Sequence, residues 1–379
     1  MKIQDLQLYR LQIPLKIRFS QSNNTTSISE STILQLRTHS GVTAYGECCP
    51  RPYVTGEDFD SVVKDFSKIV DELKQIDFCS FEQIRLLLTE NLTSRIGLSS
   101  ICALELALLD AWSRDQQQSL TSILGIKFPE KIKYTGVIPI STPKKLATLA
   151  ERFKVFQFKE IKLKIGTDLN KSLESLAICK KHFTAAQIFR ADVNCAWALE
   201  DAYKLIPKLM AVGFQTFEQP FPKGKEKAMA KITKEFGESC HIMADESLTS
   251  YNSASKLIAN QACNRFNIKL SKTGGIFNAL KIYQLAEKHG IACQLGAHFG
   301  ETSLLTAAGI IFSALAPKLK AYEGAMGEWL LEEDLVQTSM HFDFNAEVSH
   351  LEGVFKKIGL GYKNIRASLL SNTQLINFA

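Results

Sequence analysis

No stretch of the chain approaches the 18 consecutive apolar residues that a membrane-spanning helix needs. The opening residues, MKIQDLQLYRLQIPL, alternate like a strand and lack the apolar centre and small-residue cleavage site of a secretory signal. No membrane association is expected, and the cytoplasm is the expected compartment. Long basic runs are also missing. The 45 Lys and Arg residues are scattered among 39 Asp and Glu, and a net charge of +6 is mild. Nucleic acid is therefore not an expected partner. The nine cysteines form no CxxC pair and no metal-ligand spacing. Cys48 and Cys49 are neighbours, and a bridge between them would be strained. Thiols scattered in this way read as small buried groups in a reducing compartment, and nothing points to a thiol catalyst.

What is present is ordinary for a globular protein: 45% apolar and 22% charged residues. A length of 379 residues allows two domains, or one large α/β barrel with additions. Residues 1 to about 60 alternate, and STILQLRTHSGVTAYGE reads as strand, turn at Ser40-Gly41, strand. From about 58 to 125 the period is helical, and SSICALELALLDAWSRD is a strongly apolar helix with a Ser start. From about 131 a unit of short strand then amphipathic helix repeats. Strands are expected at KIKYTGVIPI, EIKLKIG, IFRADVN, TFEQPF, IMADES, RFNIKLS, IACQLG and LKAYEGA. Eight strands with seven helices between them predict a parallel barrel over 131–330. The alternative is an open doubly wound sheet, which usually carries a Gly-rich phosphate loop after its first strand. GVIPIST is not one. The last 50 residues leave the repeat and are expected to pack back on the α+β front unit, 1–130.

The stretch EIKLKIG sets Lys162 and Lys164 on the opposite face from Ile161, Leu163 and Ile165. A solvated strand reads that way, and so does a strand whose charged face lines a reaction chamber. The rest of the repeat favours the chamber. Lys164, Asp192, Glu218, Asp245 and Lys269 recur near successive strand ends at gaps of 28, 26, 27 and 24 residues, about one strand-helix unit each. In a closed barrel those ends share one rim, where the active sites of this fold lie. Each residue alone has a plainer explanation as a cap, a turn or a surface charge. The order lysine, acid, acid, acid, lysine on five units is hard to reach by chance.

Three carboxylates at one site repel unless a cation cancels their charge. All-oxygen ligation by Asp192, Glu218 and Asp245 suits Mg²⁺, and the absence of His or Cys at matching strand ends argues against zinc. A lysine near the cation in a dry site is expected to have a lowered pKa and to serve as a base. A cation holding a substrate carboxylate would stabilise the enediolate left when the α-proton departs.

These motifs resemble the enolase superfamily, in the subgroup of muconate-lactonizing enzymes, dipeptide epimerases and o-succinylbenzoate synthases. The matching residues are KLK at 162–164, Asp192 with Asn194, EQP at 218–220, DES at 245–247 and NIKLSKTGG at 267–275. ALELALLDAW at 103–112 and GECCPRPY at 46–53 match the capping domain's last helix and its substrate-facing loop. The resemblance implies an α/β fold: a modified TIM barrel, (β/α)₇β, with an N-terminal α+β capping domain completed by residues 331–379. It implies one Mg²⁺ per chain on Asp192, Glu218 and Asp245. It makes Lys164 and Lys269 the acid/base groups on opposite faces, with Lys162 tuning Lys164. The lysine base with magnesium is a general property of that superfamily.

Both lysines being present, the leading expectation is epimerisation or racemisation α to a carboxylate in a dipeptide-like or N-substituted amino-acid derivative. A cycloisomerase or a dehydratase of the same frame is the alternative, and a non-catalytic anion-binding barrel is more remote. Dipeptide epimerases of the family resemble one another in an Asp-x-Asp on the eighth strand that holds the substrate's ammonium group. Here Ala321 and Glu323 stand at those places. Arg18, Phe19, Arg51 and Tyr53 from the cap, with His298, Glu301 and Glu323 from the barrel, are the candidate substrate contacts. The partner is a small-molecule carboxylate, and a homo-oligomer is compatible with the sequence.

Overall fold

The structure, a computed structural model, describes the chain except for residues 22–23, 185–187, 363, 372 and 379. For residues 17–21 and 24–25 it describes the backbone alone. The front of the chain forms β1 (Ile3–Gln21), β2 (Asn24–Thr38) and β3 (Thr43–Cys48), each antiparallel to the last. Period-two alternation buries Leu6, Leu8, Leu34 and Leu36 on one face. The turn between β2 and β3 lies at Ser40-Gly41, with Gly41 at φ +87. Helix α1 (Phe59–Gln75) is started by Asp58, whose carboxylate accepts from the Ser61 N–H at 2.8 Å.

Helix α2 (Leu98–Asp115) is buried on every side, as an all-round apolar helix must be. It lies between the front sheet and the barrel. Its start differs from the expected Ser cap. Gly97 takes the cap position, while the Ser99 N–H and hydroxyl both donate to the Glu57 carboxylate, at 2.9 and 2.8 Å. Gly46 on β3 lets the sheet approach this helix, since a Cβ there would stand 1.9 Å from the Ala103 carbonyl oxygen.

The repeating part follows: β4 (Lys131–Lys133), β5 (Gly136–Ile138), α3 (Pro143–Phe153), β6 (Glu160–Lys164), α4 (Leu169–His182), β7 (Ile188–Asp192), α5 (Leu199–Ala211), β8 (Phe214–Glu218), α6 (Glu226–Phe236), β9 (His241–Ala244), α7 (Tyr251–Ala259), β10 (Arg265–Ile268), α8 (Gly275–Lys288), β11 (Ala292–Leu295) and α9 (Ser303–Leu315). Strands β5 to β11 form one parallel sheet in sequence order. Residues 320–323 close the ring as an eighth strand. The Glu323 N–H donates to the Leu295 carbonyl (2.9 Å) on one side. On the other, the Tyr322 carbonyl accepts from Thr135 N–H (2.8 Å). This is a (β/α)₇β barrel under an α+β cap.

One strand differs from its sequence expectation. KIKYTGVIPI breaks in two, because its first half, β4, pairs antiparallel with β12 (Glu347–Ser349) on the returning chain. Only β5 stays in the barrel. The end of the chain then reaches the cap, where Tyr362 donates to Asp110 on α2, and β13 (Gln374–Phe378) pairs with β1.

Candidate active site

The KxK question is answered by the direction of β6. Ile161 and Leu163 are buried toward the helices, while Glu160, Lys162 and Lys164 point into the ring. The barrel interior is polar in layers, where branched apolar residues usually fill it. In the lower layer the Arg190 guanidinium, wholly buried, meets Glu160, Gln294 and Glu323. Above it the Lys162 ammonium lies 2.7 Å from Glu323, 3.3 Å from Glu218 and 3.6 Å from Asp192. At the rim Lys164 donates to Asp192 (3.1 Å) and Asn194 (2.5 Å), and Lys269 to Asp245 (2.6 Å). Lys162 and Lys164 stand on the second strand of the ring, Asp192, Glu218 and Asp245 at the ends of the third to fifth, and Lys269 just past the sixth. The second and sixth strands of eight are half a turn apart, so the two rim lysines face each other with the acids between them.

The charges act on one another strongly. Burial raises Glu218 most, Lys162 lowers it, and the charges of Asp192, Glu323 and Asp245 raise it again, so its net shift is upward. Glu246 is raised first by burial, then by Asp245 and Asp192. Burial alone would raise Asp245, but Lys269, Lys272 and Lys162 hold it well below the usual carboxylate range. Burial pulls Lys269 down, but Asp245, Glu218 and Glu246 raise it further, to well above the ordinary value.

The donor set fits a hard divalent cation in kind. Asp192 and Glu218 share Lys162, Asp245 follows on the next strand end, and the buried Glu246 Oε2 has no hydrogen-bond partner. As the side chains stand, lysines engage these carboxylates. Among the described residues no three His, Cys, Asp or Glu side chains already form a cage.

Sequence reasoning missed several supporting residues. Gln219 sits at φ +40, after Asn194 and Cys195 at φ +45 and +65 on the neighbouring strand end. Its amide oxygen accepts from the N–H groups of Asp245 (2.9 Å) and Ser247 (3.1 Å). Its amide nitrogen donates to the Phe221 carbonyl (2.7 Å) and the Ser247 hydroxyl (2.8 Å). It thereby ties the fourth strand end to the fifth. Lys272, readable as a surface charge, is fully buried and donates to Asp245 Oδ1 at 2.6 Å. Asn267 donates to Glu218 at 2.8 Å. Gln219 follows Glu218, and Asn267 and Lys272 flank Lys269 inside the quoted motifs, but nothing in the sequence gives them a role. Gln219→Ala leaves two buried N–H groups without acceptors. It is expected to cost about 3 kcal/mol in urea unfolding and about tenfold or more in divalent-cation affinity by calorimetry. Unchanged values in both would remove its positioning role.

The expected substrate contacts divide. Arg18 and Phe19 lie outside the described side chains. Tyr53, 57% exposed, stands at the pocket mouth. His298 and Glu301 line the pocket on the loop after the seventh strand. Burial, with Lys269 and Arg51 near, pushes His298 well below its usual range, so it is neutral at pH 7. Glu301 is pushed up to about 8, mainly by burial. Arg51 bridges the cap loop and the barrel. It donates to the carbonyls of Glu30 (3.0 Å), Pro50 (2.9 Å) and Phe299 (3.0 Å), pinning the cap loop to the barrel. Glu323 lines the pocket, but both its oxygens are held by cations, at 2.7 Å by Lys162 and 2.5 Å by Arg190.

Comparison with known proteins agrees with this frame. A family profile described as enolase C-terminal domain-like matches residues 145–362. The chain is 28% identical over 322 residues to the L-Ala-D/L-Glu epimerase of Bacillus subtilis (strain 168), spanning 83% of this chain and 85% of that protein. It is 27% identical over 314 residues to the N-succinyl-L-Arg/Lys racemase of Bacillus cereus (strain ATCC 14579), spanning 82% and 83%. The dipeptide epimerase of Cytophaga hutchinsonii, solved with Mg and the dipeptide D-Ala-L-Val, superposes at a TM-score of 0.86. That match has 26% identity and covers 100% of each chain.

Proposed function

Because the chain belongs to the enolase superfamily, we propose that it is an isomerase that removes and returns the proton α to a carboxylate. Its substrate is a dipeptide-like or N-substituted amino-acid derivative, which it epimerises or racemises. The observation that carries this reading is the placement of Lys164 and Lys269 half a ring apart, with three acids between them. A carbon held between two ammonium/amine groups can lose a proton to one and regain it from the other, with inversion.

Asp192, Glu218 and Asp245 would hold one Mg²⁺ per chain. When bound, the ion lowers the cost of the negative charge that develops on the substrate carboxylate. The chain's own residues do the rest. Lys162, buried beneath Lys164 and shared with Glu218, keeps positive charge close to that base. Burial lowers Lys162, but Glu218, Glu323 and Asp192 raise it further, so it stays protonated. A fixed cation beside a lysine favours the neutral amine that a base requires. On the far side, Lys272 holds one oxygen of Asp245 while Lys269 holds the other. The cap loop, latched by Arg51 to Phe299, sets Tyr53 and Val54 at the pocket mouth.

The division of the chain follows the same roles: 1–130 with 331–379 as the cap that meets the substrate's outer part, and 131–330 as the catalytic barrel. All nine cysteines are free, which supports a reducing, cytoplasmic setting. Among the described residues no helix is long and apolar enough to cross a membrane.

The test is deuterium uptake from D₂O into pools of dipeptides and N-acyl amino acids. Uptake at the α-carbon with inversion is expected with Mg²⁺ and is expected to stop with EDTA. Conversion with loss of water or a new ring, and no inversion, would move the assignment to a dehydratase or cycloisomerase.

A further inference from the structure

Going round the ring, the acids take the third to fifth strands and the bases the second and sixth. The part of the substrate that points away from the acids must therefore meet the eighth and first strands. That wall is apolar: Val137 and Pro139 at the first strand, Leu149 and Phe153 on α3, and Met326 and Leu330 after the eighth. Val137 is the register partner of Lys162, so the wall begins beside the ammonium of Lys162. Among the described residues two carboxyl groups reach that side, Glu323 and Glu301, and Glu323 is not available. Lys162 holds one oxygen at 2.7 Å, and Arg190 (2.5 Å) and Gln294 (3.1 Å) hold the other. The acid on the seventh-strand loop, Glu301, accepts from the His298 N–H at 2.6 Å and lies near Lys269 and Arg51.

Resting on the epimerase reading, we propose that the substrate is an N-acyl amino acid whose acyl group is apolar and uncharged, and that this wall rejects a free terminal ammonium. An ammonium against the wall loses its water and meets apolar side chains, with Glu323 already paired and one oxygen of Glu301 taken by the His298 N–H. An acyl group bearing a carboxylate fares no better there, because Arg51, whose guanidinium reaches three backbone carbonyls, is not among the side chains lining this wall. An alkyl group in the same place gains contact with six apolar side chains.

The test compares isobutyryl-L-leucine with L-Ala-L-Leu, which share one skeleton and differ by a methyl in place of the ammonium. N-succinyl-L-leucine serves as the anionic comparison. With the Mg²⁺-loaded protein, kcat/KM for α-deuterium exchange is expected to be at least tenfold higher for the isobutyryl compound than for either of the others. An equal or better rate with L-Ala-L-Leu or N-succinyl-L-leucine overturns this inference and leaves the epimerase reading standing. No exchange from any N-acylated acid overturns that reading and this inference with it. Met326 is only half-buried, so Met326→Glu is a tolerable change that places a carboxylate in the wall. It is expected to move the isobutyryl-to-alanyl ratio at least tenfold toward the dipeptide. A ratio that does not move shows that the acyl group lies elsewhere.

Discussion

Lys164→Ala is expected to abolish α-deuterium exchange from one enantiomer of the substrate while leaving exchange from the other, and Lys269→Ala is expected to do the reverse. Both variants lose interconversion. Each missing base should slow its own half-reaction by about 10³-fold, within the range for a general acid or base. The split follows from position. The two ammonium groups approach from the second and sixth strands, so each can reach the proton on one face of the α-carbon only. The comparison separates catalysis from folding, because a variant that merely misfolded would lose exchange from both enantiomers. Loss of the same enantiomer's exchange in both variants would mean one-sided chemistry, as in a cycloisomerase. Retention of both would remove the lysines from the mechanism.

Glu218→Gln is expected to weaken Mg²⁺ by at least about 100-fold, more than loss of a supporting residue does, and to cut turnover by a similar factor or more. Glu218 is wholly buried at the end of the fourth strand, and Asn267 already donates to it. The amide keeps that hydrogen bond and loses the charge. Lys162 is not stranded, because Glu323 remains 2.7 Å away, so the variant should fold. The clean readout is thermal unfolding. Mg²⁺ should raise the wild-type midpoint by mass action, about 2.7 kcal/mol at 100 times Kd, and leave the variant's midpoint nearly unmoved. The same Mg²⁺-dependent rise in both proteins would show that Glu218 is not a ligand.

The legible part of this protein is its periodicity. Alternation in EIKLKIG, and the recurrence of charged residues every 24 to 28 positions, are local or regularly spaced signals. They survive in one dimension because a barrel repeats one unit. Where the pairing partner is remote, reading along the chain falters. KIKYTGVIPI looks like one strand, but β4 leaves the barrel for residues 347–349, some 200 positions away. Ser99 looks like a helix cap, and Glu57 takes it.

By itself, then, the sequence determined the order of the strands and which residue types meet at their ends, since both follow from side-chain period and βα spacing. Only the tertiary structure decided which charges are free to act. Arg51 and Glu323 look alike as charged pocket residues in isolation, yet one reaches three backbone carbonyls and the other is held by Lys162 and Arg190. Lys272 and Gln219 look incidental, yet they hold Asp245 in place. A buried charge takes whatever partner the fold brings within about 3 Å, because leaving it unpaired in a low-dielectric interior costs more than any local preference can offset.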